Sequence, residues 1–332
     1  MSDGQDAPRS DAPPAEKAGK YLRPKDVDER AGLGQHLMWG AESFVWDWLY
    51  WFPLKAMPIE QASNFGAGMT RRVGPMTSAH KTMMRNLRLA FPNWSETERK
   101  ECADGAWVTL GRIAGEMPHI GKLHPYTSGR VEVVNVERLD QIRDTGKPAV
   151  FFAGHIGNWE HLSPAIVNRG VPCQITYRAL NNPHIDKRIN DARFSSGIQL
   201  LAPKGIATRD LMRALGNGQS VALMNDQKFN QGIPVPFFGH DAMTAPGPTR
   251  LAMKYKTPLQ PMSVLRTGPA RYKVTVFDAL QPEAGPDDKT AVFNTVLKIN
   301  QFVEARIREQ PDQWFWMHNR WPKEAWVAAG VM

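Results

Sequence analysis

Residues 147–162 read KPAVFFAGHIGNWEHL, and the reading of this stretch decides the fold. The apolar run Ala149–Ala153 has the length and composition of a strand buried on both faces. It ends in Gly154, His155, Gly157, Asn158 and Glu160 instead of a bland turn. The spacing predicts a strand, a glycine-permitted turn, and a helix that Asn158 caps and that carries Glu160 in its first turn. Ligands of open α/β sheets gather at the carboxyl ends of strands, so a titratable cluster at this position is a candidate site. His155 and Glu160 are five apart, about 140° around a helix, and do not share a helical face. With His155 in the turn and Glu160 on the helix they meet, and a carboxylate that orients the imidazole leaves its second nitrogen as a general base.

Working outward, the same alternation recurs. VEVVNVERL and KPAVFFAG read as strands, WEHLSPAIVNRG as a helix stopped at Gly170, and VPCQITYRAL as a strand. A helix follows over 183–195, then the short strand GIQLLAP, the helix TRDLMRALGNG and the strand QSVALMND. The helix APGPTRLAMKYK leads into two strands joined by a Gly-Pro turn, and a long helix covers 288–309. The expected fold class is α/β, a mixed, largely parallel sheet covered by helices on both faces. The segment 228–248 reads as a long Gly/Pro-rich connection with three phenylalanines, either an apolar wall of a binding slot or a packed surface loop. Strand ends supply further site candidates, Tyr177–Arg178 after one strand and Asn225, Asp226 and Gln227 after another.

The organisation divides into an arm over 1–35, a helical region over 36–125 and an α/β domain over 126–325. The arm is rich in Asp, Pro, Ala and Lys, is expected to be disordered, and has no signal-peptide pattern. After it, HLMWGAESFVWDWLYWFPLKAM holds Trp39, Trp46, Trp48 and Trp51 with Phe44, Tyr50 and Phe52. A helix lying in a membrane interface is the first reading, supported by Lys55, Arg71 and Arg72 further on. Glu42 and Asp47 count against a spanning helix, and a helix covering the core is the other alternative. In WSETERK, Ser95 and Glu98 form a capping box that starts the helix running through CADGAWVTLGRIAGEM.

The chain has 332 residues and a formal net charge of +8, which favours anionic partners: nucleic acid, phospholipid headgroups or an acidic carrier. Its two cysteines, Cys102 and Cys173, form no CxxC and read as reduced buried thiols, so a cytoplasm-facing protein is expected. Zinc spacings such as H-E-x-x-H are absent around His155 and His161, and no GxSxG elbow is present. The expectation is therefore a histidine base acting on a substrate group, with no metal, no cofactor and no covalent enzyme intermediate.

GHIGNWE resembles the HX4(D/E) signature of glycerolipid-type acyltransferases. More closely, it resembles the bacterial lipid A biosynthesis acyltransferases, the lauroyl/myristoyl transferase family. NLRLAFPNWSETER, GRIAGE, TYRALNNPHID, NDQKFNQGIPVPFFG with Thr244 after it, and PDQWFWMHNRW are similar to that family's blocks, in its order, so the resemblance covers 36–322. Ile156 stands where the family often has phenylalanine. The resemblance implies an O-acyltransferase at the cytoplasmic face of the bacterial inner membrane, interfacial or held by one N-terminal anchor. It implies an acyl-acyl carrier protein donor, a lipid A precursor as acceptor, and no nucleic-acid partner. His155 is implied as the catalytic base and Glu160 as its support. Arg178, Asp226, Asn158 and Gln227 are implied on the substrate side, with Arg178 binding a phosphate or developing charge. A related membrane acyltransferase using acyl-CoA or another glycolipid acceptor, and a non-catalytic lipid-binding protein, are the alternatives. Trp314, Trp316 and Trp321 are expected in the core rather than in the acyl groove.

Overall fold

The computed structural model describes residues 31–198, 201–203 and 207–331, so the expected disordered arm lies almost wholly outside the described residues. The first part is helical. α1 (Leu33–Trp46) passes through a π-helical turn (Asp47–Trp51) into α2 (Phe52–Ala56), followed by α3 (Ile59–Val73), α4 (Ser78–Ala90) and α5 (Glu96–Glu116). The α5 start is the predicted capping box: the Glu98 N–H donates to Ser95 Oγ, and the Ser95 N–H donates to the Glu98 carboxylate.

From β1 (Val131–Val134) strands alternate with helices: α6 (Glu137–Thr145), β2 (Val150–Ala153), α7 (Leu162–Val167), β3 (Cys173–Tyr177), α8 (Pro183–Ser195), β4 (Leu201–Pro203), α9 (Ala207–Gly216) and β5 (Ser220–Met224). Then come β6 (Ile233–Phe237), β7 (His240–Thr244), α10 (Gly247–Tyr255), β8 (Leu259–Gly268), β9 (Arg271–Val276), α11 (Asp288–Glu309) and α12 (Lys323–Ala328). The sheet order is β1-β9-β8-β2-β5-β3-β4, with β8 and β9 antiparallel and the other neighbours parallel. This is the mixed, largely parallel α/β sheet that the alternation of apolar strands and helices predicts. β2 sits between β5 and β8, all four of its residues are buried, and its carboxyl end lies in the middle of the sheet edge.

Two local readings are corrected. VEVVNVERL is strand only to Val134: Asn135 takes a positive φ of 59° and the chain turns into α6. The Gly/Pro-rich connection contains an antiparallel hairpin, β6–β7, turned at Phe238 and Gly239. Its prolines sit in a two-stranded ribbon, where no neighbouring strand needs their missing N–H.

The helical region is fastened to the sheet by close packing and one buried network. α3 and α5 approach so closely that a Cβ on Gly66 would lie 2.1 Å from Gly111 O, and one on Gly115 would lie 2.1 Å from Ala62 O. The glycines of GRIAGE thus set the helix spacing, and Glu116 at the α5 end enters the core. Its carboxylate, 0% exposed, accepts from Ser63 Oγ (2.6 Å), Arg266 Nη1 (2.6 Å), Asn158 Nδ2 (3.3 Å) and the Tyr272 hydroxyl. One carboxylate therefore ties α3, α5, β8, β9 and the turn after β2 together. Trp314, Trp316 and Trp321 are core residues, packed with Phe237, Phe238 and Phe91.

Candidate active site

The turn after β2 is held open by backbone geometry. Gly157 has a φ of +57°, and a Cβ there would lie 2.6 Å from Val264 O, so glycine is required on both counts. A second segment braces it: the Gly157 N–H donates to Gln313 O (2.9 Å), the Phe315 N–H donates to His155 O (3.1 Å), and Ile156 bridges Trp314. The run Gln313–Phe315 thus works as a short extra strand that fixes the His155 backbone.

Asp226 follows β5, the parallel neighbour of β2, and the register brings its side chain to the same edge. Asp226 Oδ1 lies 2.7 Å from His155 Nδ1, and Oδ2 accepts the His155 backbone N–H (2.8 Å) and the Trp314 indole N–H (2.7 Å). The carboxylate is 2% exposed. Burial opposes its ionisation, but the His155 ring and the hydrogen bonds from His155 and Trp314 outweigh burial and hold its pKa down at about 2. An ionised Asp226 accepts, so Nδ1 carries a hydrogen, and in the neutral ring Nε2 is the nitrogen with the free lone pair. Nε2 makes no hydrogen bond among the described residues. Trp159 packs edge-on against the imidazole at 5.0 Å between ring centres, and Phe315 lies at 6.4 Å.

Glu160 was expected to orient His155, and the structure places its carboxylate elsewhere. Both oxygens accept from Arg193 near the α8 end, Nε at 2.8 Å and Nη2 at 2.7 Å. Burial opposes the charge of Glu160, yet Arg193 outweighs it and holds the pKa below the usual carboxylate range. His155 is within electrostatic reach of Glu160 without a hydrogen bond to it. The physical reason is rank order: the turn points Nδ1 at β5, and the guanidinium claims both carboxylate oxygens.

The other expected site residues separate. Asn158 caps the following turn as predicted, Oδ1 accepting from the Glu160 N–H at 3.3 Å. It is 1% exposed, however, and its amide donates to Glu116, so it sits in the scaffold beneath the site and not on a substrate-facing surface. Gln227 is half-buried beside Asp226. Arg178 follows β3 on the same sheet edge, is exposed, and makes no ion pair among the described residues. His161 is buried against the Tyr272 ring at 4.1 Å, and burial pushes its pKa down to about 3, so it is a neutral core residue.

Sequence reasoning missed three contributors: Glu116, Arg193 and the Trp314 indole N–H. Glu116 and Trp314 lie in stretches singled out for their resemblance, GRIAGE and PDQWFWMHNRW. Nothing local in the sequence ties Arg193 to Glu160 across 33 positions.

The N-terminal aromatic segment resolves its two acids. Glu42 accepts from Asn182 Nδ2 (3.1 Å), and Asp47 pairs with Arg188, both on or at α8. Leu37, Phe44, Val45, Trp48 and Leu49 of this segment are exposed, as are Phe65, Met69 and Val73 of α3. Among the described residues no helix is long and apolar enough to cross a membrane.

A buried carboxylate on the Nδ1 of a histidine at the carboxyl edge of a largely parallel sheet defines the class: an α/β protein with a histidine–carboxylate pair at the end of its central strand. Residues 41–323 match the family model described as bacterial lipid A biosynthesis acyltransferase, and the chain belongs to that family. It is an acyltransferase, and the family's chemistry is acyl transfer in lipid A biosynthesis. The chain is 22% identical to a lipid A biosynthesis acyltransferase of Haemophilus influenzae over 87% of this chain and 92% of that one. It is 24% identical to a phosphatidylinositol mannoside acyltransferase of Mycolicibacterium smegmatis over 82% of this chain and 88% of that one. The crystal structure of the 1-acyl-sn-glycerophosphate acyltransferase PlsC from Thermotoga maritima overlaps with a TM-score of 0.34 at 13% identity, covering 76% of this chain and 94% of that one.

Proposed function

We propose that the chain transfers a fatty acyl group from acyl-acyl carrier protein to a hydroxyl of a lipid A precursor, with His155 as general base. The observation that carries this reading is the Nδ1 contact to Asp226 at 2.7 Å, which leaves Nε2 as the acceptor of a substrate proton. Nε2 takes the proton of the acceptor hydroxyl as its oxygen attacks the thioester carbonyl. The tetrahedral intermediate collapses, the carbon–sulfur bond breaks, and the imidazolium returns the proton to the leaving thiolate. Asp226 fixes the tautomer and stabilises the transient imidazolium. Glu160, neutralised by Arg193, holds the helix that follows the turn. Arg178, an exposed cation on the same edge, meets a phosphate of the acceptor.

The exposed apolar side chains of residues 37–52 and α3, with the exposed Lys55 and Arg72 in the same helical region, support peripheral docking on an anionic membrane surface at the cytoplasmic side of the inner membrane. A second reading is favoured by the mycobacterial relative: the same chemistry on a mannosylated phosphoinositide. The deciding assay offers purified protein acyl-acyl carrier protein or acyl-CoA, with a lipid A precursor or a phosphatidylinositol mannoside as acceptor. Transfer to the lipid A precursor from the carrier-protein donor, lost by about 10²–10⁴-fold in His155→Ala, is the expected outcome. Transfer to the mannoside alone overturns the acceptor assignment, and undiminished transfer by His155→Ala overturns the base.

A further inference from the structure

We propose that Arg320 is a positioning residue for the proton transfer: its buried guanidinium is the standing counter-charge of the Asp226 carboxylate and favours the neutral, base-competent imidazole at His155. The inference rests on the reading of His155 as the general base.

Arg320 is 0% exposed. A buried charge calls for an opposite charge, yet among the described residues no carboxylate lies within ion-pair distance of it. Neutral oxygens cage it instead. Nη1 donates to Met243 O (3.0 Å), and Nη2 donates to Thr244 Oγ1 (2.7 Å) and Asn300 Oδ1 (3.4 Å). Its Nε is buried without a hydrogen-bond partner.

Asp226 is the complementary case. Its donors are the His155 N–H, the His155 ring and the Trp314 indole, and while the imidazole is neutral none of them carries a charge. The two unmatched charges share one aromatic cluster. Cζ of Arg320 lies 4.7 Å over the Phe237 ring, and that ring is 5.8 Å from the ring of Trp314, which donates to Asp226. In such an apolar medium a charge acts well beyond contact distance. Burial drives the pKa of Arg320 down to about 10, and Asp226 is the charge that acts against this fall.

The charge count gives the direction. Arg308, over the Phe238 ring at 4.4 Å, is half exposed and paired with Glu304, so with a neutral imidazole the fully buried charges of the cluster are one positive and one negative. A proton on His155 makes it net positive, and the field of Arg320 opposes that. Without Arg320 the protonated imidazole and Asp226 become a self-neutral pair, and the balance at His155 moves toward the protonated form. The remaining groups leave this balance in place. The His155 ring otherwise meets Trp159 and Phe315, and Glu160 is matched by Arg193. His318, two residues before Arg320, accepts the Lys228 backbone N–H at Nε2 (2.7 Å).

Three variants separate charge from architecture. Arg320→Gln removes the charge and keeps an amide for the cage. Arg320→Lys keeps the charge. Asn300→Asp puts a carboxylate where Oδ1 now accepts from the guanidinium, opposing its field with Arg320 intact, at the loss of the Nδ2 hydrogen bonds to Pro236 O (3.0 Å) and Thr244 Oγ1 (3.3 Å). The measurements are the pH profile of kcat/KM and an NMR titration of the His155 ring in the folded protein without substrates. In Arg320→Gln and Asn300→Asp the acidic limb and the ring titration move to higher pH by roughly one unit, and the rates converge with the unaltered enzyme on the alkaline side. Arg320→Lys keeps the original profile. A uniform loss at every pH, with limb and ring titration unmoved, overturns the inference and leaves Arg320 as a staple of the β6–β7 hairpin. If Arg320→Gln does not fold, Asn300→Asp and the ring titration decide. Activity retained in His155→Ala defeats the base reading itself; activity abolished there with an unmoved titration defeats only the role of Arg320.

Discussion

Two carboxylates flank the His155 turn, the buried Asp226 after β5 and the largely buried Glu160 in the turn of helix after β2, and they differ in what they face. Asp226 accepts three N–H groups, none of them from a permanent cation. Glu160 is locked to the permanent cation of Arg193 by two hydrogen bonds. A carboxylate whose negative charge is already matched has little left to give a transient imidazolium. One that is solvated by donors alone gains a partner when the proton arrives. Proximity in sequence favours Glu160 as the orienting residue, and the electrostatics favour Asp226.

The largest effect that breaks or sharpens this contrast is Asp226→Asn. It loses the acceptor on Nδ1 and frees the tautomer, so kcat is expected to fall by about 10³–10⁴-fold with the protein still folded, as steady-state acyl transfer and circular dichroism will show. A loss below tenfold returns the orienting role to Glu160. Glu160→Gln takes from the half-buried Arg193 its hydrogen-bonded carboxylate and leaves it only the field of Asp186, and the expected cost is about 2–3 kcal/mol of stability by urea unfolding. The double change Glu160→Gln with Arg193→Met recovers much of that, because both charges then leave together. If the single change spares stability and abolishes transfer, the contrast fails.

Acid makes the same distinction without mutation. The Asp226 pKa falls to about 2 on folding, against an ordinary value near 4, so its stabilisation is fully present above about pH 4. It is lost as the pH falls from there through about 2 and amounts to roughly 2 kcal/mol. Asp226→Asn should flatten the acid-unfolding curve in that window relative to the unaltered protein. A smaller effect is expected for Trp314→Phe, which removes one hydrogen bond to Asp226 at about 1–2 kcal/mol of stability while the ring packing remains. Smallest in stability is Trp48→Ser with Leu49→Ser, both exposed. The melting midpoint should stay put, since surface changes cost within about 0.5 kcal/mol, while sedimentation with anionic vesicles should drop. Unchanged vesicle binding would remove the membrane from the exposed face.

The aromatic-rich stretches show how far composition reads. Residues 39–52 and 314–321 are similarly rich in tryptophan and phenylalanine, yet Trp48 is 60% exposed while Trp316 and Trp321 are each 0% exposed. The helical signals of the first stretch were legible. That Glu42 and Asp47 turn inward to Asn182 and Arg188 was not, because those partners lie about 140 positions away. The β6–β7 hairpin was hidden by its prolines, which argue against strand everywhere except in a ribbon with free edges.

By itself the sequence determined the periodicities: continuous apolar strands between amphipathic helices, the Ser95 capping box, glycines where the backbone turns or helices touch, and a histidine at a strand end. These depend on neighbours within a few residues, and local physics specifies them. Only the tertiary structure decided which carboxylate meets Nδ1, which cation claims Glu160, and that Glu116 binds the helical region beneath the turn. Those contacts span from 33 to 156 positions. Their geometry is set by sheet register and buried charge balance, which no local pattern encodes.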